Sequence, residues 1–496
     1  MSENVAEEEI LESYDNVKII RKKGEILPIY LVAEKHLNEE EEKIVENPRT
    51  LIKDYSLILK DLEVIQSIDE KESFIRKIIE KHLDESNFRI EHKEELIEKI
   101  MDYNFLGYCK LGPLMRDDKL EEIMVNSINT PIFVFHRRYG MCKTNLKFET
   151  KHEIYEFIEK VSSFVGRKID QDNPLLDGHL IDGSRINIAI PPAAPSGPSI
   201  TIRKFRKSPY TIIDLIARKT ISIELAAFLW LCVEGFGIHP CNILIAGSSG
   251  AGKTTLLNAL AMFIPQEERV VTVEDTLELN FDFLENWVPL EAVPSLTERK
   301  RGEITMDVLV ENTLRMRPDR VIVGEIRGRE AEPFFVAMDI GLNGSMATIH
   351  SNNAKETATR LINPPMSVPH GMIPLLHLVV VVNRYHDKEK GLYRRVIEVG
   401  EIAGLEGKVV QIGQIYRWDS KIDKITRTEY PILLLDKMQE WFGLSKAEIN
   451  KEIYRRGKLL EYMLVNKIHR REDVIPIFQE YHKDPKGTLK KYLKNN

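Results

Sequence analysis

Cysteine is scarce in this chain and never paired in spacing: the four residues among 496, Cys109, Cys142, Cys232 and Cys241, form no CxxC. That excludes a zinc knuckle and a disulfide framework, and it suits a reducing cytoplasm. Long apolar runs are missing too. The longest, such as LLHLVVVV (Leu375 to Val382), fall far below the roughly 18 to 20 residues a membrane-spanning helix needs. The opening MSENVAEEEI is acidic where a secretory signal requires a basic and then an apolar segment, so export is not expected. Membrane association would have to run through a partner. An excess of basic charge is likewise absent: the net charge is -7 and the sequence pI about 6.1, which gives no global reason to bind nucleic acid. No internal repeat is found.

What is present is ordinary globular composition, 43% hydrophobic and 30% charged, in a chain long enough for roughly two to four domains. Residues 1–106 are rich in Glu and Lys. Patches such as ESFIRKIIEKHL (Glu72 to Leu83) and ELIEKIMDYNFL (Glu95 to Leu106) repeat apolar residues every three or four positions, which predicts a helical, charged N-terminal region. From 107 to 207 the texture turns to short strands and turns (EEIMVNS, PIFVFHRRYG, DGSRINIAIPP, PSITIRKFRK), and the PPAAPSGP run must be a loop; a mixed α/β domain is expected. Residues 208–220 read as a linker. Over 221–425 apolar strands alternate with helical segments (NILIAG, RVVTVED, DRVIVGE, SMATIH, LLHLVVVV), the pattern of a parallel sheet covered on both faces. Residues 426–496 read as a helical C-terminal region. The fold class expected is α/β: a P-loop domain preceded by a smaller α/β domain.

GSSGAGKTT, covering Gly247, Ser248, Ser249, Gly250, Ala251, Gly252, Lys253, Thr254 and Thr255, follows the strand NILIA and opens a helix. That is the context in which a Gly-x-x-x-x-Gly-Lys-Thr run cradles phosphate. The glycines let backbone N–H groups turn inward, Lys253 supplies positive charge beside the β and γ groups, and Thr254 offers a hydroxyl to magnesium. Carboxylates at the carboxyl ends of parallel strands face the ligand crevice. Glu325, ending RPDRVIVGE, is the first candidate for the group that orients the attacking water. Gly324 stands where many P-loop enzymes carry a magnesium-binding Asp, so metal coordination is expected to lean on Thr254, phosphate and water. VVTVED places Glu274 and Asp275 at another strand end, where either could polarise water or reach magnesium through water. SMATIH places His350 at a fourth, where an imidazole could sense the γ-phosphate.

These four segments, in this order, resemble the motifs of the secretion ATPase superfamily of type II secretion and type IV filament systems. GSSGAGKT is similar to its Walker A motif, TVEDTLEL to its aspartate box, LRMRPDRVIVGEIRG to its Walker B motif and GSMATIHSNN to its histidine box. With the upstream KLEEIMVNSINTPIFVF and DGSRINIAI, the resemblance covers roughly residues 105 to 425. The lack of a four-cysteine insert, and Gly328 after GEIR, make the chain most similar to the archaeal branch, which includes the archaellum motor ATPase and pilus-assembly relatives.

The resemblance implies a RecA-like motor domain, ATP and Mg2+ as cofactors, and a homo-hexameric ring with nucleotide between neighbours. An arginine from the adjacent domain completes the site in such rings. Arg185 in DGSRINIAI and Arg203 in SITIRKF match the positions, with Arg206 as a further candidate. Strand alternation points Arg203 and Arg206 to opposite faces, so both cannot serve one phosphate while the strand stays regular. The implied function is Mg-dependent ATP hydrolysis that drives assembly, or assembly and rotation, of an archaeal surface filament. Its implied partners are an integral membrane platform protein and accessory cytoplasmic motor proteins, with the enzyme held peripherally at the inner face of the membrane. The archaellum and an adhesive pilus are alternatives sharing this chemistry. The rivals are a nucleic-acid translocase, which the acidic balance and the few basic clusters (RKFRK, HRR) disfavour, and a non-hydrolysing ATP-binding scaffold, which the intact Lys253, Thr254, Glu274, Glu325 and His350 disfavour.

Overall fold

The computed structural model describes residues 8–33, 36–52, 58, 65, 68–205, 209–293, 302–387 and 391–493. The chain divides into two compact units, Met1–Arg206 and Lys207–Asn496. Each is built on a nine-stranded sheet.

In the first unit the strand order is Glu8–Tyr14, Val17–Lys22, Ile29–Val32, Gly140–Thr144, Phe133–His136, Leu120–Val125, Ser199–Arg203, Arg185–Ala189 and Leu175–His179. Neighbours run antiparallel except for the parallel pairing of Ile29–Val32 with Gly140–Thr144. Alternation explains the burial: Ile200 and Ile202 are buried while Thr201 and Arg203 are exposed. The helix Lys151–Val165 starts where the Thr150 side chain accepts the Glu153 N–H and stops at Gly166. Its φ of 68° is the left-handed cap that glycine adopts without strain. It buries Ile154, Phe157, Ile158 and Val161, the i, i+3, i+4, i+7 stripe. Each such side chain contributes roughly 1.5–3 kcal/mol when fully buried.

The N-terminal region departs from the helical expectation in one part. Helices do form at Glu39–Glu46, Ile68–Asp84 and Lys93–Ile100, but Glu8–Val32 is three strands. The glutamates of EEILESY obscured a period of two that shows better in VKIIRK, where Val17, Ile19 and Ile20 are buried. Those strands continue the same sheet as the α/β segment that follows.

In the second unit the order is Trp287–Glu291, Val270–Glu274, Arg320–Ile326, Met346–Ile349, Ile243–Ala246, Leu378–Asp387, Gly391–Glu406, Val409–Asp419 and Lys424–Arg427. The first six strands are parallel. The rest form an antiparallel meander, which the sequence reading did not anticipate. Continuous apolar runs mark the doubly covered parallel strands, whereas the meander is interrupted by bulges at Val381/Val382, Val399/Gly400 and Ile402/Gly404 that break any clean alternation.

The helix Ile223–Glu234 is buried from Leu225 onward. An all-round apolar helix requires cover on every side. The segment expected as a linker supplies part of it, because it carries the helix Ile212–Ala217 with Ile212, Ile213, Leu215 and Ile216 buried. The helices Leu434–Phe442, Lys446–Val465, Arg471–Lys483 and Pro485–Leu493 join the same core. Trp230 stacks on Phe263 at 5.0 Å and meets Phe478 at 4.7 Å and Tyr481 at 5.1 Å between ring centroids.

Candidate nucleotide-binding site

The parallel strands set the site by ending level with one another. Ala246 pairs with Ile349, and Ile349 with Ile326. The glycine-rich loop therefore begins beside His350 and the Glu325 strand. The loop lies between Ile243–Ala246 and the helix Lys253–Ala261, as its spacing predicts. Gly250 and Gly252 have φ of 68° and 96°, where a side chain would strain the backbone. A β-carbon at Gly247 would come within 2.3 Å of the Val382 carbonyl oxygen. The strand neighbour thus requires glycine there independently of any ligand.

Lys253 is nearly buried. Its ammonium donates to the Ser248 carbonyl at 3.3 Å and stands 3.8 Å from Glu325 Oε1. Two residues singled out separately in sequence are thus brought together. Thr254 and Thr255 are half-buried in the first helical turn. Asn258 holds that turn by donating to the Thr254 carbonyl at 3.1 Å and accepting the Asn280 N–H at 3.0 Å.

Arg327 is not among the residues that the sequence motifs single out; it follows Glu325 by two positions, just past the end of the strand Arg320–Ile326. Its guanidinium donates to Glu325 Oε2 at 2.8 Å and to Asp275 Oδ2 at 3.0 Å. Lys253, Glu325, Arg327 and Asp275 therefore form an alternating chain of charge from the start of the helix Lys253–Ala261 across two strand ends.

Glu274 sits apart from that chain. It is about fully buried, and one carboxylate oxygen accepts the Glu278 and Leu279 N–H groups at 2.8 and 3.0 Å. The other oxygen, Oε1, has no hydrogen-bond partner. Burial pushes the carboxyl up to about 8 despite those two N–H donors. Its Cγ lies 2.8 Å from where a Gly324 β-carbon would be, so the buried glutamate fills the space an aspartate at 324 would need.

His350 is exposed directly after Met346–Ile349. The residues behind it are structural. Thr348 donates to the Gly324 carbonyl at 2.6 Å, tying this strand to the Glu325 strand. Ser351 bonds Thr357 at 2.5 Å, and Asn353 caps the helix Ala354–Ile362 by accepting the Glu356 N–H at 2.8 Å.

Arg185 and Arg203 belong to the first unit. They are direct register partners on adjacent antiparallel strands, so they share one face of that sheet. Arg206 lies outside the described residues.

Among the described residues no three His, Cys, Asp or Glu side chains group as a metal cage. The oxygens at hand for a divalent cation beside phosphate are the Thr254 hydroxyl and the Glu325 and Asp275 carboxylates. The positive-φ loop, the inward lysine and these donors fit a magnesium nucleotide. No helix among the described residues is long and apolar enough to cross a membrane.

A model of the Type II/IV secretion system protein family matches residues 111–388. An uncharacterised protein of Methanocaldococcus jannaschii is 46% identical over 255 residues, which is 51% of this chain but only 35% of that relative's length. A second uncharacterised protein of the same organism is 32% identical over 394 residues, covering 77% of this chain and 69% of the relative. Among solved structures, the VirB11 ATPase of the Brucella suis type IV secretion system, in complex with sulphate, is 25% identical with a TM-score of 0.29, over 59% of this chain and 92% of that one.

Proposed function

This chain belongs to the Type II/IV secretion system protein family, and from that premise we propose that it is a Mg-dependent ATPase that powers an archaeal surface filament. The observation that carries the catalytic part is the approach of Lys253 to Glu325 at 3.8 Å beside the glycine-rich loop. Glu325 lies between two cations, Lys253 and Arg327. Nucleotide phosphate is a stronger attractor for both, because it offers several anionic oxygens in a water-poor cleft. Binding therefore draws Lys253 to the β and γ groups and releases the Glu325 carboxylate. That carboxylate then orients a water for in-line attack on the γ-phosphorus and accepts its proton. The Thr254 hydroxyl would hold magnesium, which would supply neutralisation of the phosphate charge. Arg203, or Arg185 beside it in register, enters from a neighbouring subunit of a hexameric ring to balance charge on the transferred group.

The filament assignment rests on the motif resemblance set out above and on the family. We place the enzyme in the cytoplasm at the inner face of the membrane, working on an integral membrane platform protein together with accessory motor proteins. The archaellum is the first choice of filament and an adhesive type IV pilus the second.

Glu325→Gln is the test. The purified variant should bind ADP as the wild type does and lose at least roughly a hundredfold in phosphate release, the usual scale for removing a positioned base. Turnover at the wild-type rate would refute the role of Glu325. In the native host, loss of swimming together with its filament selects the archaellum, retained swimming without pili selects the pilus, and survival of both removes the filament assignment.

A further inference from the structure

The Leu378–Asp387 strand borders the glycine-rich loop on the flank opposite the Glu325 and Glu274 strands, because Ile243–Ala246 lies between Met346–Ile349 and Leu378–Asp387 in the sheet. Two arginines reach the loop from that flank. Arg384 and Arg394 are direct register partners across the antiparallel pair of Leu378–Asp387 and Gly391–Glu406. Arg394 Nε donates to the Gly250 carbonyl at 3.1 Å. The Arg384 guanidinium lies 2.7 Å from where a Gly250 β-carbon would stand, and the Arg394 Cδ 3.1 Å from that of Gly252. The two loop glycines with positive φ are the two against which these arginines lie.

Like charges directly opposed across strands destabilise a sheet. Both side chains lie against the glycine-rich loop. A phosphate-binding loop turns its N–H groups inward and its carbonyls outward. Arg394 on the outward Gly250 carbonyl holds the loop from behind, and the N–H of the same peptide unit, that of Ala251, donates to the Ser248 carbonyl at 3.2 Å, so the arginine braces the turn itself. The second guanidinium adds positive potential at the same place.

We propose that Arg384 and Arg394 form a second, same-subunit cationic wall of the nucleotide site, acting on the α and β phosphates from the side opposite Lys253 and Glu325. Arg394 is a positioning residue that works through the Gly250 peptide, and Arg384 contacts the diphosphate. This rests on the nucleotide reading above. It assigns the pair to the part of the ligand that ADP retains, so the wall holds product as well as substrate.

The test uses the full-length protein, with ADP, AMP and adenosine each titrated alone against wild type, Arg384→Gln, the double variant Arg384→Gln/Arg394→Gln, and Arg427→Gln as an exposed control on the outer strand of the sheet. Thermal shift and a fluorescent ADP analogue give affinity. The double variant should lose about tenfold or more in ADP affinity, on the scale of a lost charge-assisted hydrogen bond. Adenosine binding should be unchanged, and the salt dependence of ADP binding should flatten. ADP affinity within twofold of wild type overturns the proposal. So does an equal loss for ADP and adenosine, which would mark a deformed loop rather than a missing phosphate contact. A folded wild-type protein that shows no ADP-dependent shift removes the nucleotide reading itself, a result separable from either outcome for the variants.

Discussion

At Gly324 a single missing side chain decides which acid occupies the site. The sequence showed a glycine where an aspartate is common, and it showed Glu274 at another strand end. It did not show that one fills the space left by the other, because that depends on the parallel register that sets Val273 beside Val323. A β-carbon at 324 would stand 2.8 Å from Glu274 Cγ, closer than real side chains approach. Gly324→Ala should therefore destabilise the protein by about 1–3 kcal/mol, the range for overpacking a filled interior. The penalty should shrink in a Glu274→Ala background, where the obstructing atoms are gone. Urea denaturation of both single variants and the double measures this; equal penalties in both backgrounds would show that the two positions do not compete for space. Arg327 teaches the complementary lesson. Lys253, Glu325, Asp275 and His350 were legible as motif letters, but the residue that joins two of them was not, since nothing local says that Asp275 lies within reach of a side chain 52 positions away.

At the scale of elements, the helix Ile223–Glu234 is fixed at its carboxyl end by charge. Glu234 is the last residue of a buried helix, where the helix dipole disfavours an acid. Burial alone would push its carboxyl up; Arg456 and His482 outweigh that and hold it below the usual range. Arg456, itself buried, donates to Glu234 Oε2 at 2.7 Å and to Glu452 at 3.1 Å. Arg456→Met strands a buried carboxylate, and the expected loss is roughly 3–5 kcal/mol in urea denaturation. His482 bridges Glu234 and Glu267 at 3.0 and 2.9 Å. The Glu234 hydrogen bond leads the causes that raise its pKa above the ordinary 6.5. A cationic group raised in the folded state lends stability that is complete below about 6.5 and is lost as pH rises through the raised value. The Tm difference between wild type and His482→Gln should thus be widest near pH 6 and close toward pH 9, and a gap constant with pH would show packing alone. The helices that supply Arg456 and His482 were readable from their periodicity. Their destination was not, because amphipathic stripes in the last seventy or so residues reveal a buried face but not the helix that receives it. The antiparallel meander escaped for a related reason: its bulges reset the alternation on which strand assignment depends.

At the scale of the whole molecule, the first residues are where sequence and structure part most. The sequence leads one to expect a charged, helical region over residues 1–106. The strands Glu8–Tyr14, Val17–Lys22 and Ile29–Val32 instead complete the sheet of the first unit. Tyr30 is fully buried, and its hydroxyl shares Asp117 Oδ2 with that of Tyr14 at 2.5 and 2.7 Å. Asn145 holds Val32 at both ends, accepting its N–H at 2.8 Å and donating to its carbonyl at 2.9 Å. Lys119 reaches Glu12 at 2.7 Å and lies over the Tyr14 ring. Removing residues 1–33 would strip these partners from Asp117 and Asn145 and bare the Gly140–Thr144 edge, an unpaired strand of the kind that promotes aggregation. The deletion should therefore lower the unfolding transition of the first unit by several degrees and raise its susceptibility to protease. Stabilisation by ADP should persist, because the glycine-rich loop and its neighbours all lie in the second unit. Calorimetry that resolves the two transitions, with and without ADP, separates the possibilities. An unchanged first transition would show that the first unit does not need these strands, whereas a lowered first transition with an intact ADP response shows that these residues are part of the α/β unit, and that its arginine-bearing sheet depends on them.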